Sequence, residues 1–303
     1  MRAAAILGLG SSTRDLIPFQ HDPKISWSMG VPADSSQADV ALIFGGDGTV
    51  HRHLGQLVKL GLPVLVVPCG SGNDFARALG LRRVRDSVSA WRKFCQEGKN
   101  TRTIDLGRIT ALSTADTRQS LPGPRYFCCV GGVGLDAEAA RRAHAMPAWL
   151  RARGGYAIGL MGALVKFRAI TMTLYVPDAE SRLPNGTRSA MLLAFANTPV
   201  YGGGMKIAPR AQLDDGKLDF CLVNQVGKLR LSYLFPTVYF GRHLRIPEVE
   251  YFQSDRLRLE TGAPLPLRRW RIRLPLSRGS QCRCKDLASD CSAVTDKFLV
   301  SGF

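Results

Sequence analysis

The sequence lacks the features of a membrane-spanning or secreted protein. Its 303 residues include no apolar run long enough to cross a bilayer, and residues 1–10 have neither the apolar core nor the cleavage site of a signal peptide. The eight Cys show no convincing ligand spacing, since Cys282, Cys284 and Cys291 lack the two-residue spacings and the His of a zinc site. The other Cys lie in or beside apolar runs, where a free thiol behaves as a small hydrophobe. We therefore expect a reducing, cytoplasmic setting.

Acidic residues are scarce relative to basic ones. The chain has 41 Lys and Arg against 24 Asp and Glu, a net charge of +17. This excess fits nucleic acid, an anionic membrane surface, a phosphorylated substrate or simply a solvated basic face. The basic residues lack the interleaved aromatics of a base-stacking platform and form no recognition motif, so we expect no nucleic-acid partner. A hydrophobic fraction of 45% excludes disorder throughout, and the length suits two domains.

The first third of the chain alternates buried strands with Gly-rich turns and helices. Residues 40–44 form a continuous apolar run, typical of a strand buried on both faces, and residues 64–67 form the next. Each is followed by a Gly-rich turn and then by helical spacing, with Gly61 as a predicted helix stop. Repeated strand, turn and helix predict a parallel sheet with the turns at its carboxyl edge.

After residues 103–107 the pattern changes to short strand-like segments separated by Gly, Pro and Asn, with one helical insert near residues 147–167. The fold class predicted is therefore α/β plus mainly β, with an N-terminal Rossmann-like nucleotide domain and a C-terminal β-sandwich domain. We place the domains at residues 1–106 and 107–267, followed by a divergent basic tail at 268–303.

Both Gly-rich turns have the composition of phosphate-binding loops. Gly45-Gly-Asp-Gly-Thr49 ends a strand and opens a helix, where glycines let backbone N–H groups approach an anion and the helix N terminus adds positive potential. Gly70-Ser-Gly-Asn-Asp74 repeats this arrangement on the adjacent strand. Asp74 either caps the following helix or belongs to the site. The predicted nucleotide-binding residues are Gly45, Gly46, Asp47, Gly48, Thr49, Gly70, Ser71, Gly72 and Asn73.

A third motif lies in the second half of the chain. Tyr201-Gly-Gly-Gly-Met-Lys-Ile-Ala-Pro209 precedes a turn with clustered carboxylates, Asp214-Asp215-Gly216. Carboxylates on a flexible turn suit a hard cation such as Mg²⁺. A hairpin turn with solvated acids explains the same residues, and composition alone favours it.

These motifs, in this order, resemble the catalytic family of diacylglycerol kinases, which includes bacterial lipid kinases and the sphingosine and ceramide kinases. The resemblance covers residues 40–260 and includes Thr103-Ile-Asp-Leu-Gly107 and Gly132-Val-Gly-Leu-Asp136. It implies that the two Gly-rich turns bind ATP. It also implies two supporting acids, of which Asp105 joins a Mg²⁺–water network. The other, Asp215, holds a structural Mg²⁺ together with the backbone carbonyls of Gln212 and Lys217.

The reaction implied by the resemblance is transfer of the ATP γ-phosphoryl group to a lipid hydroxyl, with diacylglycerol as the default substrate. Catalysis of this kind rests on positioning, charge neutralisation and a base. The basic composition then fits a protein that works peripherally at the anionic inner membrane surface. The helical insert either touches that surface or packs on the second domain, and self-association stays open.

Two departures from the family pattern stand out. The family usually has an Asn-Pro…Ser-Gly phosphate loop after its first strand, and here Gly8, Gly10 and Ser11 match it only weakly. After Leu267 the expected Asp-Gly-Glu, whose Glu is the family's general base, is absent. From Leu265 onward the chain has eight Lys and Arg and three Asp, which either form an Arg-rich arm or follow from a shifted reading frame. The alternative functions are a pseudo-kinase that binds nucleotide or lipid and an enzyme like NAD kinase.

Overall fold

The computed structural model describes residues 1–98, 100–110, 125–146, 155–176, 186–261, 267–268 and 292–301. The chain forms two compact units, the first made of residues Met1–Leu106 with Thr295–Phe303 and the second of Gly107–Val294. The first is α/β with a parallel sheet and the second is built on an antiparallel sheet, so the predicted fold class is confirmed.

The sheet of the first unit has the strand order β2-β1-β3-β4-β14-β5. These strands are β1 (Arg2–Leu7), β2 (Ser26–Met29), β3 (Val40–Gly45), β4 (Val64–Pro68), β5 (Thr101–Ile109) and β14 (Ser292–Ser301). Pairings of β1 with β2 and β3, of β3 with β4, and of β4 with β14 are all parallel. Every residue of β3 is buried, as its continuous apolar sequence predicts for a central strand.

The helices of the first unit follow the strand ends. They are a 3-10 helix (Thr13–Phe19), α1 (Asp47–Leu60), α2 (Asp74–Ala78) and α3 (Val84–Glu97). α1 ends at Gly61, which adopts a left-handed conformation with φ 64°, so the predicted stop is confirmed. Trp91 of α3 is fully buried, and its indole N–H donates to the carbonyl of Phe19 at 2.9 Å.

The sheet of the second unit runs β11-β10-β9-β7-β13, and β8 pairs with both β9 and β12. Its strands are β7 (Val130–Gly134), β8 (Ile170–Tyr175), β9 (Gly186–Ala196), β10 (Leu218–Asn224), β11 (Val249–Ser254), β12 (Arg258–Thr261) and β13 (Leu267–Arg268). A further strand, β6 (Arg125–Phe127), pairs antiparallel with the end of β5 and so extends the other sheet. Because side chains alternate along a strand, Leu193 and Phe195 of β9 join one core while Leu192 and Ala194 join another.

The helices of the second unit pack on the core that contains Leu192. They are α4 (Leu135–Ala145), α5 (Gly155–Lys166), α6 (Lys228–Leu234) and two 3-10 helices (Phe235–Phe240 and Arg242–Arg245). The second half of the predicted helical insert at residues 147–167 coincides with α5, and residues 147–154 lie outside the described part. α6 and the 3-10 helices were not predicted. No helix in the described ranges is both long enough and apolar enough to cross a bilayer.

The C-terminal tail was only partly interpretable from sequence. Residues 269–291, with the Cys282 cluster, lie outside the described residues, as do most of the residues around the expected Asp-Gly-Glu position. Residues 292–301 nevertheless form β14, whose Val300 pairs with Val64 of β4. The sequence analysis identified no strand in this region, and the structure corrects that reading.

Candidate functional site

The two Gly-rich turns of the first unit meet backbone to backbone. β3 and β4 are paired so that Gly45 lies opposite Pro68, which brings the turns after both strands to the same edge. A Cβ placed on Gly70 would lie 2.3 Å from the Cα of Gly46. No side chain fits in that space, so glycine at position 70 is a packing requirement, and a Cβ on Gly46 would also be tight, at 3.0 Å from the Cα of Gly70. The first and second predicted turns therefore form one continuous backbone surface.

Asp47 connects the first turn to the second. Its carboxylate accepts the backbone N–H of Asp74 at 3.0 Å and that of Phe75 at 2.9 Å, so it satisfies two N–H groups at the start of α2. Asp47 is 6% exposed. The suggestion that Asp74 caps this helix is wrong, because Asp74 is already the first helical residue and pairs with Arg77. Asp47, from the first turn, accepts the N–H groups at the start of this helix instead.

Asn73 holds the second turn closed. Its side-chain oxygen accepts the N–H of Gly70 at 3.0 Å, and its amide nitrogen donates to the Gly70 carbonyl at 2.6 Å. The residue lies in the left-handed region, with φ 56°, where Asn is among the better-tolerated residues. Asn73 therefore shapes the turn through its own side chain.

Thr49 fills the space beneath the first turn. Cβ atoms on Gly8 or Gly45 would lie 2.3 and 2.5 Å from its hydroxyl oxygen, so both glycines make room for this side chain. Ser11 donates its hydroxyl to the carbonyl of Phe44 at 2.9 Å, and the N–H of Gly8 donates to the same oxygen at 2.8 Å. The weakly matched N-terminal loop is thus attached directly to the end of β3.

The edge formed by these turns has the properties of an anion site. Gly46 is the N-cap of α1 and makes no side-chain cap hydrogen bond, so the first N–H groups of this helix stand at the positive end of its dipole. Of these, the N–H of Thr49 donates to the carbonyl of Gly46 at 2.8 Å. Gly48 and Ser71 are exposed, whereas Asp47 and Thr49 are buried beneath them. The arrangement offers backbone donors on a rigid support, which is what a phosphate group requires.

The acidic loop of the second unit is organised by its own hydrogen bonds. Asp215 is half-buried, and its carboxylate accepts the backbone N–H of Lys217 at 3.0 Å across Gly216, whose φ is 71°. Gln253 approaches the other carboxylate oxygen at 3.5 Å and donates to Asp219 at 3.1 Å. Carboxylate and carbonyl oxygens are hard ligands, so the donor set at this loop fits Mg²⁺.

Asp219 lies behind this loop and is fully buried. The hydroxyl of Tyr251 donates to it, and Gln253 contacts both of its oxygens. Burial raises the pKa of Asp219, and burial together with the bond to Asp219 raises the pKa of Tyr251. Asp219 and Tyr251 therefore support the loop from the buried side, while Asp215 is partly open to solvent.

A second buried carboxylate lies at the start of α4. Asp136 is 0% exposed and accepts the hydroxyl of Tyr201 at 2.7 Å. A Cβ on Gly132 would lie 2.6 Å from this carboxylate, so the glycine provides the space that it occupies. This close packing explains why a glycine lies four residues before the aspartate in Gly132-Val-Gly-Leu-Asp136. Leu135 and Tyr201, the chain neighbour and the partner of Asp136, both line an adjacent cavity.

This cavity is almost entirely apolar and lies within the second unit. The space inside it, counted together with the open solvent at its mouth, is about 760 Å³. Residues from α4, α5, β9, β10, α6 and both 3-10 helices form its wall; examples are Leu135, Leu160, Leu192, Val223, Leu231 and Val238. Such a wall suits a hydrocarbon chain.

His243 is one of the few polar residues of the wall. It is 3% exposed, and one ring nitrogen lies 3.1 Å from the carbonyl oxygen of Ile207. Burial lowers the pKa of His243 below its ordinary value, which favours the neutral imidazole. His243 therefore adds no positive charge to the wall near neutral pH.

Comparison with known proteins identifies both units as domains of known families. Residues 26–109 match the diacylglycerol kinase catalytic domain, and residues 130–269 match the YegS C-terminal NAD kinase beta sandwich-like domain. A diacylglycerol kinase of Mycobacterium tuberculosis is 31% identical over 222 residues, 73% of this chain and 67% of that protein. A Chromohalobacter salexigens protein named "Probable lipid kinase YegS-like" is 30% identical over 280 residues, 86% of this chain and 82% of its own.

The chain belongs to the diacylglycerol kinase family. A solved diacylglycerol kinase structure from Bacillus anthracis shares its fold, with a TM-score of 0.65 and 16% identity, covering 100% of this chain and 97% of that one. The family assignment made from the motifs is thereby confirmed.

Within this family member, the structure brings together some of the predicted site residues. Those of the two Gly-rich turns form one edge of the first unit, and those of the acidic loop, Gln212, Asp215 and Lys217, lie within six residues of one another in the second. Asp105 is buried on β5 of the first unit. Its predicted role and the ligand set of the loop stay predictions.

Sequence reasoning did not assign a role to several residues that the structure makes prominent. Asp136 was quoted only as part of a family motif, although a buried carboxylate beside glycines is itself a signal. Tyr201 was likewise a motif position without a role. The cavity left no local signal, because its wall comes from residues between Leu135 and Val249.

Proposed function

We propose that this protein is an ATP- and Mg²⁺-dependent lipid kinase that transfers the γ-phosphoryl group to a hydroxyl of diacylglycerol. The observation that carries the proposal is the apolar cavity beside the buried Asp136–Tyr201 pair, in a chain of the diacylglycerol kinase family. A phosphorylated small molecule such as NAD would not need a cavity of this character.

The nucleotide phosphates are proposed to bind at the edge formed by the two Gly-rich turns. Backbone N–H groups at the start of α1 and the exposed turn at Ser71 would contact phosphate oxygens. Asp47 would act indirectly, because its carboxylate already holds the N–H groups of α2. It fixes the distance between the turns, and phosphoryl transfer depends on such positioning.

The lipid is proposed to place an acyl chain in the cavity and its polar end near Asp136. Buried polar groups require partners, and a carboxylate accepts hydrogen bonds, so a hydroxyl group of the lipid would be favoured at this end over more hydrocarbon. Tyr201 would orient the carboxylate through its hydroxyl bond. These contacts would select a lipid alcohol from other hydrophobic molecules.

A Mg²⁺ ion is proposed at the acidic loop, held by the side chain of Asp215 and the backbone carbonyls of Gln212 and Lys217. When bound, it would neutralise the loop carboxylates and stiffen the loop. Asp105 is proposed to join a separate network of Mg²⁺ and water near the phosphates. The family resemblance supports both assignments.

One sequence observation favours a second candidate function. No Asp-Gly-Glu follows Leu267, and a general base contributes about 10²–10⁴-fold to such reactions. A protein without that base would bind nucleotide and lipid but transfer phosphate slowly or not at all. This pseudo-kinase keeps the same two binding sites.

The decisive experiment is transfer of labelled γ-phosphate from Mg·ATP to a panel of lipids in mixed micelles. A kinase gives one strongly labelled lipid. Asp47→Ala should abolish labelling through the nucleotide side, and Tyr201→Phe should raise the KM for lipid while leaving the KM for ATP unchanged. ATP binding without labelling of any lipid would reject the kinase and favour the pseudo-kinase.

A further inference from the structure

One segment of the second unit has two apolar sides. We call residues 228–245, which comprise α6 and the two 3-10 helices, the cavity-wall segment. Its inner side lines the cavity, for example through Leu231 and Val238. Its outer side carries Leu229, Tyr233 and Phe240, which are 89%, 83% and 71% exposed.

The exposed residues are arranged as a surface. Leu229 and Tyr233 are four positions apart on α6 and therefore share one helix face. No residue of α6 is buried, although four of its seven residues are apolar or aromatic. A surface helix normally hides its apolar stripe and turns charged residues outward. This helix departs from that pattern on its outer face, which calls for something that covers it.

The surroundings of the exposed apolar residues are basic. The sequence contains no Asp or Glu between Asp219 and Glu248. Within this interval lie four exposed basic residues, and the exposed Lys206 is attached by its backbone N–H to the carbonyl of Val238 at 3.0 Å. The four are Lys228, Arg230, Arg242 and Arg245. Arg230 pairs with Glu248 at 2.9 Å, which balances one of these charges. The cavity-wall segment as a whole therefore carries a net positive charge.

An anionic bilayer matches both properties of this surface. Aliphatic and aromatic side chains insert at the level of the headgroups, while Lys and Arg contact acidic lipids. A second copy of the chain matches less well, because a two-fold interface would bring the same basic residues against themselves. A nucleic acid would satisfy the charge but would leave Leu229 exposed.

We propose that the outer face of the cavity-wall segment docks on an anionic lipid bilayer. The proposal deepens the proposed function and rests on it in one respect, since it takes the cavity to receive a membrane lipid. The same segment forms the wall of the cavity and the docking face. Docking would therefore bring the cavity wall against the leaflet that supplies the lipid.

The test compares two double variants of the full-length protein by co-sedimentation with vesicles. Vesicles contain either phosphatidylcholine alone or phosphatidylcholine with phosphatidylglycerol, and no ATP is present. Leu229→Ser with Tyr233→Ser removes the apolar docking contacts. Ile17→Ser with Met29→Ser is the matched control, because these residues are also exposed, at 66% and 54%, and lie in the first unit. Circular dichroism checks that each variant is folded.

The docking variant should bind anionic vesicles at least about tenfold more weakly than the wild type, and the control variant should bind normally. Arg242→Ala with Arg245→Ala should weaken binding to anionic vesicles about tenfold and should remove most of its salt dependence. Unchanged vesicle binding in the Leu229 and Tyr233 variant would overturn the proposal. If the wild type self-associates, and the Leu229 and Tyr233 variant becomes monomeric but still binds vesicles normally, the surface would be a dimer interface instead.

A second readout separates this proposal from the proposed function. Phosphorylation of a short-chain diacylglycerol below its critical micelle concentration needs no bilayer, so the docking variant should keep wild-type activity there and lose activity on vesicles. Loss of activity on the soluble lipid as well would mean that the residues act in the site rather than in docking. No activity in any protein, with docking still lost in the variant, would reject the kinase and leave the docking surface standing.

Discussion

The two regions of interest in this protein are built in opposite ways. The edge of the first unit consists of backbone, and its side chains, such as Asp47 and Asn73, hold the turns in place. The cavity of the second unit is made of side chains from many elements, and no short stretch defines it. A site of the first kind tolerates almost no added atom. A site of the second kind should change shape gradually as its wall changes.

The strongest test of this contrast is Asp47→Ala. Two backbone N–H groups at the start of α2 would lose their acceptor, and each buried unsatisfied group costs about 1–3 kcal/mol. We expect a loss of about 3 kcal/mol in the free energy of unfolding and at least a 100-fold loss of phosphoryl transfer. Urea denaturation and the lipid assay measure the two effects.

Asp86→Ala is the matched control for Asp47. Asp86 also accepts a backbone N–H at a helix start, at 2.8 Å from the nitrogen of Arg83, but this bond lies at the surface. Its removal should cost only about 1 kcal/mol, without effect on ATP affinity. Equal effects of the two substitutions would mean that Asp47 has no special role between the turns.

Gly70→Ala tests whether the first region tolerates a single methyl group. The added Cβ would lie 2.3 Å from the Cα of Gly46, so the turns would have to separate. We expect destabilisation of about 1–3 kcal/mol and at least tenfold weaker ATP binding, measured by calorimetry. Gly55→Ala is the control, since this α1 glycine has no atom within 4 Å of its added Cβ. It should stabilise by about 0.5–1 kcal/mol, and a similar response at both positions would contradict the close packing of the turns.

Val238→Trp tests the graded response expected of the cavity. The larger side chain would shorten the space for an acyl chain by about two methylenes, and each buried methylene contributes about 0.8 kcal/mol. The KM for a sixteen-carbon diacylglycerol should rise about tenfold, while that for a six-carbon one should change less than twofold. Tyr175→Trp serves as the control, because Tyr175 is exposed on β8 and does not line the cavity. Equal effects on both chain lengths would show that the cavity does not hold the chain.

The smallest effect expected is the pH dependence of stability that comes from His243 in the cavity wall. Burial holds the pKa of His243 below its ordinary value of 6.5, so the unfolded chain binds this proton at a higher pH than the folded one. Stability from this source is complete above about pH 6.5 and falls as the pH drops toward the folded pKa, by at most about 1.4 kcal/mol per pH unit. The wall also contains Glu248, and Arg242 and Arg245 flank the histidine.

Thermal unfolding of wild type and His243→Gln between pH 5 and 7.5 measures this dependence. The variant should show a shallower loss of stability on acidification. Some slope should remain, because burial also lowers the pKa of His53 in α1. Identical slopes in both proteins would mean that His243 does not titrate with unfolding.

Local patterns predicted much of the first unit and less of the second. Val40 to Phe44 and the turn after it were interpretable because strand, glycine and helix follow one another within about a dozen residues. α6 was missed because apolar residues on both of its sides obscure the helical period. β14 was missed because its identity as a strand depends on pairing with Val64, far away in the chain.

The sequence by itself determined the strand, turn and helix order of residues 40–79, the two Gly-rich turns and the family to which the chain belongs, because each depends on residues that are neighbours along the chain. Only the tertiary structure decided that Asp47 rather than Asp74 caps α2, and that Tyr201 meets Asp136. It alone produced an apolar cavity with a basic, apolar outer wall. The physical reason is distance: hydrogen bonds and cavity walls join residues tens of positions apart, and their meeting depends on how the sheets and helices pack.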